Sequence, residues 1–152
     1  MGLFDFLTPK PKHIFNENGE NIVFFDKKEQ GIKLKFYKKQ GKLDGKFFDY
    51  YLQSYTGGEL LPCVKANFVE GKINGICSEY SISGQCDRVV EKYDKGSLIN
   101  QKIFLTGFSS RGKLHRENSF KKEDNEKGII QNIIEEHSIK YKFWLFKQKT
   151  HY

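Results

Sequence analysis

Between Phe25 and Leu114 the chain runs in short, aromatic-rich apolar stretches broken by glycines at regular intervals. Two series of glycine turns interleave. In the first, Gly41-Lys42-Leu43-Asp44-Gly45 leads to Phe47, Phe48, Tyr50 and Tyr51, and Gly71-Lys72-Ile73-Asn74-Gly75 leads to Ile76 and Tyr80. A third copy, Gly96-Ser97-Leu98-Ile99-Asn100, leads to Ile103 and Phe104, with Asn100 in place of the second glycine. Asparagine is the commonest non-glycine residue in left-handed backbone, so Asn100 is expected to keep the turn. The second series is Gly31, Gly57, Gly84 and Gly112. Two turns per unit imply two strands per unit, and Asp-Gly or Asn-Gly between aromatic runs signals a hairpin. The pattern predicts a mainly β fold, an elongated, twisted antiparallel sheet of repeated hairpins.

Leu43, Ile73 and Leu98 lie inside the turn segments, where a solvent-facing loop needs no apolar residue, and are expected to plug the core. Asp49 and Glu79 occupy matching places four residues past the second glycine. With Ser83-Gly84 as a two-residue loop, Glu79 falls opposite Arg88, a cross-strand pair worth at most about 1 kcal/mol. That places both carboxylates on a solvated face. Pro62, in the inserted "LLPCVK", cannot donate to a central ladder, so a bulge or edge loop is expected there.

The pattern changes near the end of the chain. "KKEDNEKG" from Lys121 is a polar cluster, after which Ile129, Ile130, Ile133, Ile134 and His137 recur at helical spacing, with Asp124 or Asn125 as N-cap. "SIKYKFWLFK" then alternates, which predicts a closing strand carrying Ile139, Tyr141, Phe143 and Leu145 on one side. Helix and strand together would cap the sheet, whose open edge invites aggregation. The expected organisation is a leader over 1–13, a hairpin-repeat domain over 14–120, and a cap over 121–152 on the same domain.

Composition narrows the function classes. The chain has 152 residues, about one domain, and no apolar run long enough to span a bilayer. "MGLFDFLTPKPK" lacks the charged and apolar regions of a secretory signal, and a cytoplasmic location is expected. Lys and Arg number 26 against 19 Asp and Glu, a net charge of +7 that favours an acidic partner without choosing among protein, anionic membrane and nucleic acid. The three cysteines, Cys63, Cys77 and Cys86, have no CxxC spacing, so neither a metal site nor a disulfide framework is expected. His13, His115, His137 and His151 show no paired ligand spacing, and no phosphate-cradling glycine motif is present. No catalytic residue, cofactor or metal is expected.

The unit aromatic-x-x-Gly-Lys-apolar-Asn/Asp-Gly, as in Phe68 to Gly75 and, with one more residue between Tyr37 and Gly41, in Phe36 to Gly45, resembles the variant MORN repeat of bacterial proteins, many of them described as antitoxin or immunity proteins. The resemblance covers about Phe25 to Leu114; Cys77 and Ser78 depart from it, as does Asn100. It implies a stacked-hairpin sheet and supplies no catalytic residues to carry over; the expected partner is another protein, and an acidic toxin-like domain would suit the charge of +7. Tyr50, Tyr51, Tyr80 and Arg88 are the candidate contact residues. The alternative is a module for anionic membrane surfaces, supported by the amphipathic leader and by the lipid binding linked to such repeats; nucleic-acid binding, through aromatic rings beside lysines, is a third reading.

Overall fold

A computed structural model describes residues 11–26, 30–82, 86–107, 109 and 111–149, with side chains of the final helix as far as residue 140. It holds one antiparallel sheet of nine strands and one α-helix. The strands are β1 (Gly19–Phe24), β2 (Ile32–Lys39), β3 (Lys42–Tyr50), β4 (Pro62–Val69), β5 (Lys72–Ile73), β6 (Gly75–Tyr80), β7 (Asp87–Asp94), β8 (Ser97–Phe104) and β9 (Leu114–Ser119). They pair in chain order, with β5 and then β6 lying along β4. The helix is α1 (Ile129–Lys149). The sheet of hairpins that the glycine spacing predicts is therefore present. Residues 1–10, most of the expected leader, lie outside the described residues, as does Gly84.

The turns sit one step earlier than Asp-Gly and Asn-Gly suggest. Lys39 pairs with Lys42, Val69 with Lys72, and Asp94 with Ser97. The two residues between each pair, Gln40-Gly41, Glu70-Gly71 and Lys95-Gly96, all have positive φ, which is the two-residue turn matched to strand twist. Asp44-Gly45 instead forms a bulge inside β3, where register moves from Lys38↔Leu43 to Phe36↔Phe47 and two extra residues are taken up. Asn74-Gly75 does the same between β5 and β6.

Asn100 corrects the sequence reading. It lies in β8 opposite Lys92 and is not among the residues of positive φ. In this unit the register moves by one residue, from Tyr93↔Leu98 to Lys92↔Asn100, so no left-handed residue is needed and the glycine is dispensable. Gly31, Gly41, Gly45, Gly57, Gly71, Gly75, Gly96 and Gly112 all have positive φ, Gly45 and Gly75 at the bulges rather than at hairpin turns.

The Asn or Asp before each bulge glycine fastens one unit to the next. Asn18 Oδ1 accepts from the Gln40 amide at 2.8 Å, Asp44 Oδ2 from Glu70 at 3.1 Å, and Asn74 Oδ1 from Lys95 at 2.9 Å. Beside each, the turn glycine donates to the backbone carbonyl just before that Asn or Asp: Gly41 to Glu17, Gly71 to Leu43, Gly96 to Ile73. Asn18-Gly19 is thus an initial copy of the repeat.

One face of the sheet carries the core. The Phe36, Phe47 and Phe68 rings run across β2, β3 and β4 at about 6 Å between centroids, among Leu34, Val64, Cys77 and Leu98. Ile73 and Leu98 are buried and Leu43 packs against them, so the turn-segment plugs hold. The α1 helix lies on this face through Ile130 and Ile134.

The start of α1 is fixed by the sheet rather than by Asp124 or Asn125. Glu91 of β7, 0% exposed, accepts the amides of Ile129 and Ile130 at 2.9 and 3.2 Å, while Asp124 caps a preceding 3-10 turn through the Lys121 amide. The expected closing strand over 138–147 is instead the second half of α1. No glycine or proline follows Gly128, so nothing ends a helix once Glu91 has started it. No helix among the described residues is long and apolar enough to cross a membrane.

Candidate binding site: an open basic face and a helix-covered groove

Alternation along the strands sends a different set of side chains to the face opposite α1. Lys35, Phe48, Lys65, Ser78, Val90 and Lys102 are in register across β2, β3, β4, β6, β7 and β8. In the neighbouring row Lys46 pairs with Asn67, and Ile76 with Lys92. Ile76 is 59% exposed in mid-sheet, so this face is open to solvent there. Lys35 pairs with Glu20 at 3.0 Å and Lys102 with Glu117 at 3.7 Å, both toward the sheet edges. Between them Lys46, Lys65 and Lys92 are exposed and, among the described residues, have no carboxylate within ion-pair distance. The Lys65 ammonium stands 5.2 Å above the Tyr80 ring. The centre of the open face is thus cationic with half-buried aromatic rings beside the charges.

On the helix side, one-residue bulges swing extra side chains into the core face. Register slips by one where β1 meets β2, β3 meets β4 and β6 meets β7, which leaves Lys33, Cys63 and Arg88 as the unpaired residues. The bulge expected at Pro62 is the second of these. Lys33 thereby reaches Asp49, and Arg88 reaches Glu79 at 3.6 Å. Glu79 pairs in register with Val89, so Arg88 meets it diagonally rather than from directly opposite. Asp49 is not on a solvated face. It is 4% exposed, bound by Lys33, with His137 Nε2 of α1 at 3.2 Å. Burial pushes its carboxyl up, but the His137 hydrogen bond and Lys33 outweigh burial and hold it below the usual carboxylate range.

Cys63 packs beside Asp49. Burial, reinforced by the Asp49 charge, pushes its thiol up to about 12, and burial takes Cys77 up to about 11. The raised thiol keeps its proton at neutral pH, and Asp49 ties α1 to the sheet through His137 and Lys33 beside it.

Between α1 and the turn end of the same face lies a cavity of about 440 Å³. Phe36, Phe47, Phe68 and Ile73 form its floor, and Gln131, Ile134 and His137 its helix side. Lys42 and Lys72, each directly after a turn glycine, stand at its rim.

The four contact candidates divide between environments. Tyr50 is buried, its ring stacked on Phe48 at 5.9 Å, so it offers no exposed contact. Tyr51 is half-buried and donates its hydroxyl to the Tyr80 carbonyl at 2.7 Å; burial pushes that hydroxyl up. Tyr80 lies under Lys65, and Arg88 is exposed beside Glu79. Lys46, Lys65 and Lys92 went unremarked in the sequence because scattered lysines show no clustering until strand pairing is known. The period-two alternation around Lys46 and Lys92 was the available signal. No protein-family model matches this chain, and no curated protein gives a significant match to it.

Proposed function

We propose that this protein is a non-enzymatic protein-binding repeat protein of the immunity or antitoxin type, which blocks an acidic partner by laying its open sheet face against it. The observation that carries the reading is the open face itself. Its central lysines, Lys46, Lys65 and Lys92, make no ion pair among the described residues, and α1 packs on the opposite face. Positive potential beside aromatic rings suits recognition of an acidic protein surface, where charge sets on-rate and selectivity and buried rings supply the holding energy. The antitoxin role draws on the likeness of the repeat unit to variant MORN repeats.

The test is affinity capture from source-cell lysate with the tagged protein and with a Lys46→Glu, Lys65→Glu, Lys92→Glu variant, alongside anionic vesicles and a labelled single-stranded oligonucleotide. One stoichiometric acidic protein, captured by the native chain and lost with the triple variant, is the expected result. Salt-sensitive binding to vesicles or oligonucleotide without such a protein would replace this reading with the membrane or nucleic-acid one.

A further inference from the structure

The two edges of the sheet are finished differently. At β1 the chain doubles back through residues 13–16 and closes the edge: Ile14 and Ile22 exchange backbone hydrogen bonds at 2.8 and 2.9 Å. The Phe24 amide donates to His13 Nδ1 at 3.0 Å, and the Asn16 amide to Oδ1 of the fully buried Asn21 at 2.7 Å. An edge covered in this way offers little template to another strand.

At β9 nothing comparable is present among the described residues. This strand ends the sheet, pairs only with β8, contains no proline, and is exposed at every residue except Asn118. Its register shows which backbone groups face outward. Asn118 pairs with Gln101, and the Phe120 amide donates to the Ile99 carbonyl at 3.0 Å, so the amides of Asn118 and Phe120 face β8. The N–H and C=O of Glu117 and Ser119 therefore point away from the sheet, where they have no partner among the described residues.

Charge along this edge selects the occupant. Between Gly112 and Ser119 the cations are Lys113 and Arg116, and the only carboxylate is Glu117. Glu117 is engaged on the open face by Lys102 at 3.7 Å and by Asn100 Nδ2 at 3.0 Å. Arg116 alternates to the other face, that of Asn118 and Gln101. Both Arg116 and Lys113 are exposed and make no ion pair among the described residues. A second copy would bring the same cations. Two β9 strands related by a twofold axis pair residues of like parity, and the registers nearest mid-strand set Glu117 against Glu117 or Arg116 against Arg116. An acidic strand meets no such repulsion, and Leu114, 51% exposed, offers it an apolar contact.

We propose that β9 is a strand-addition site that takes an extended, acidic segment of another protein, antiparallel to β9, as a further strand of the sheet. The outward backbone groups of Glu117 and Ser119 form the ladder, carboxylates of the segment sit beside Arg116 and Lys113, and an apolar side chain packs on Leu114. Selectivity comes from the charge, which repels a second copy of this edge and attracts an acidic one. The site lies at the end of the sheet and does not rest on the open-face reading.

The experiment follows amide exchange and chemical shifts of the full, isotope-labelled chain by NMR as the peptide acetyl-TVEVEVTE-amide is added. Saturable binding is expected, with exchange at Glu117 and Ser119 slowed at least tenfold, while Asn118 and Phe120, already paired to β8, change little. The cationic peptide acetyl-TVKVKVTK-amide should not bind. Neither should acetyl-TPEPEPTE-amide, which keeps the negative charge and cannot form a ladder. In the protein, Glu117→Pro removes an outward N–H without touching the bonds to β8 and should abolish binding, whereas Glu117→Ala keeps the N–H and should bind at least as tightly as the native chain. Lys113→Glu with Arg116→Glu should weaken binding at least tenfold, and thermal melts check that each variant is folded. Lys46→Glu with Lys65→Glu alters the open face alone and should leave the titration unchanged, so the two readings fail separately. No saturable binding, binding without protection at Glu117 and Ser119, binding that survives Glu117→Pro, or binding lost in the open-face variant overturns the proposal. Protection of those two amides that grows with protein concentration in the absence of peptide would assign the edge to a second copy and overturn it as well.

Discussion

Glu91 and Tyr93 stand two residues apart on one strand, and the tyrosine hydroxyl donates to Glu91 Oε2 at 2.6 Å in the buried centre of the molecule. Gln101 donates to Oε1 at 2.8 Å, and the Ile129 and Ile130 amides complete the shell. Four donors surround one carboxylate, which is what permits its complete burial. Two of them are the first amides of α1, which a helix cannot satisfy internally, so a strand residue acts as the helix cap and its negative charge meets the positive end of the helix dipole. Burial pushes the Tyr93 hydroxyl well up, with the Glu91 hydrogen bond adding to it, so it remains a donor throughout the working pH range.

Replacing Glu91 with Gln turns two donors to face an amide that can accept on one side only. The loss should be about 2–4 kcal/mol, the cost of leaving buried polar groups unmatched. Urea unfolding followed by far-UV circular dichroism checks it, and loss of helical signal ahead of strand signal is expected because α1 depends on this cap. Gly128→Ala should act similarly: a Cβ there would stand 2.1 Å from the Tyr93 hydroxyl and 2.4 Å from Glu91 Oε2.

Asn74→Ala removes the acceptor that holds the Lys95 amide in the next turn while leaving the core untouched. A destabilisation of about 1 kcal/mol is expected, as for loss of a capping side chain. Asp44→Asn keeps an acceptor for the Glu70 amide and should be close to neutral. Equilibrium unfolding of the two variants separates a structural role for the side-chain oxygen from a mere preference for polarity. Equal effects would contradict the fastening role.

Much of the fold was legible because the glycines are spaced as turns are, and because Ile73 and Leu98 sit where only burial explains them. The exact turn was not legible. Gln40-Gly41 and Asp44-Gly45 both look like turn dipeptides, and only the partner strand decides which closes the hairpin and which bulges. The helix continues through the alternating segment because alternation is a local signal, whereas the long-range contact at Glu91 starts α1 and decides the outcome. The sites suffered for the same reason. Lys46, Lys65 and Lys92 lie far apart in sequence and gather only through strand register, whereas Tyr50, conspicuous among aromatics, is spent on packing against Phe48.

Asp49 gives the protein an acid-sensitive joint between helix and sheet. Its carboxyl is held below the ordinary aspartate value of 3.8 by His137 and Lys33, which overcome the opposing effect of burial. A group depressed in the folded state adds stability that is fully present above its unfolded value and is lost as pH falls through the folded one. Stability should therefore decline as pH drops below about 4, as buried carboxylates take up protons. The Asp49→Asn variant should be less stable at neutral pH, with a shallower decline on acidification. Thermal melts from pH 7 to pH 2.5 measure both, and parallel curves for variant and native chain would count against the joint.

Cysteine reactivity offers an independent reading of the covered face. With Cys63 raised to about 12 and Cys77 to about 11, neither thiol is ionised to any useful extent at pH 8, and Cys77 is also buried. Thiolate is the reacting form, so both should label slowly in the folded protein. Cys86 is partly exposed, beside Ser81 Oγ at 3.4 Å, and should label first with a thiol-reactive disulfide reagent, one equivalent fast and two slow. Destabilising the helix cap through Glu91→Gln should accelerate Cys77, which lies in register with Glu91 on the adjacent strand beneath α1. Mass-spectrometric peptide mapping of early and late time points assigns the order. Fast labelling of Cys63 in the native chain would mean that the bulge beside Asp49 is open to water rather than packed.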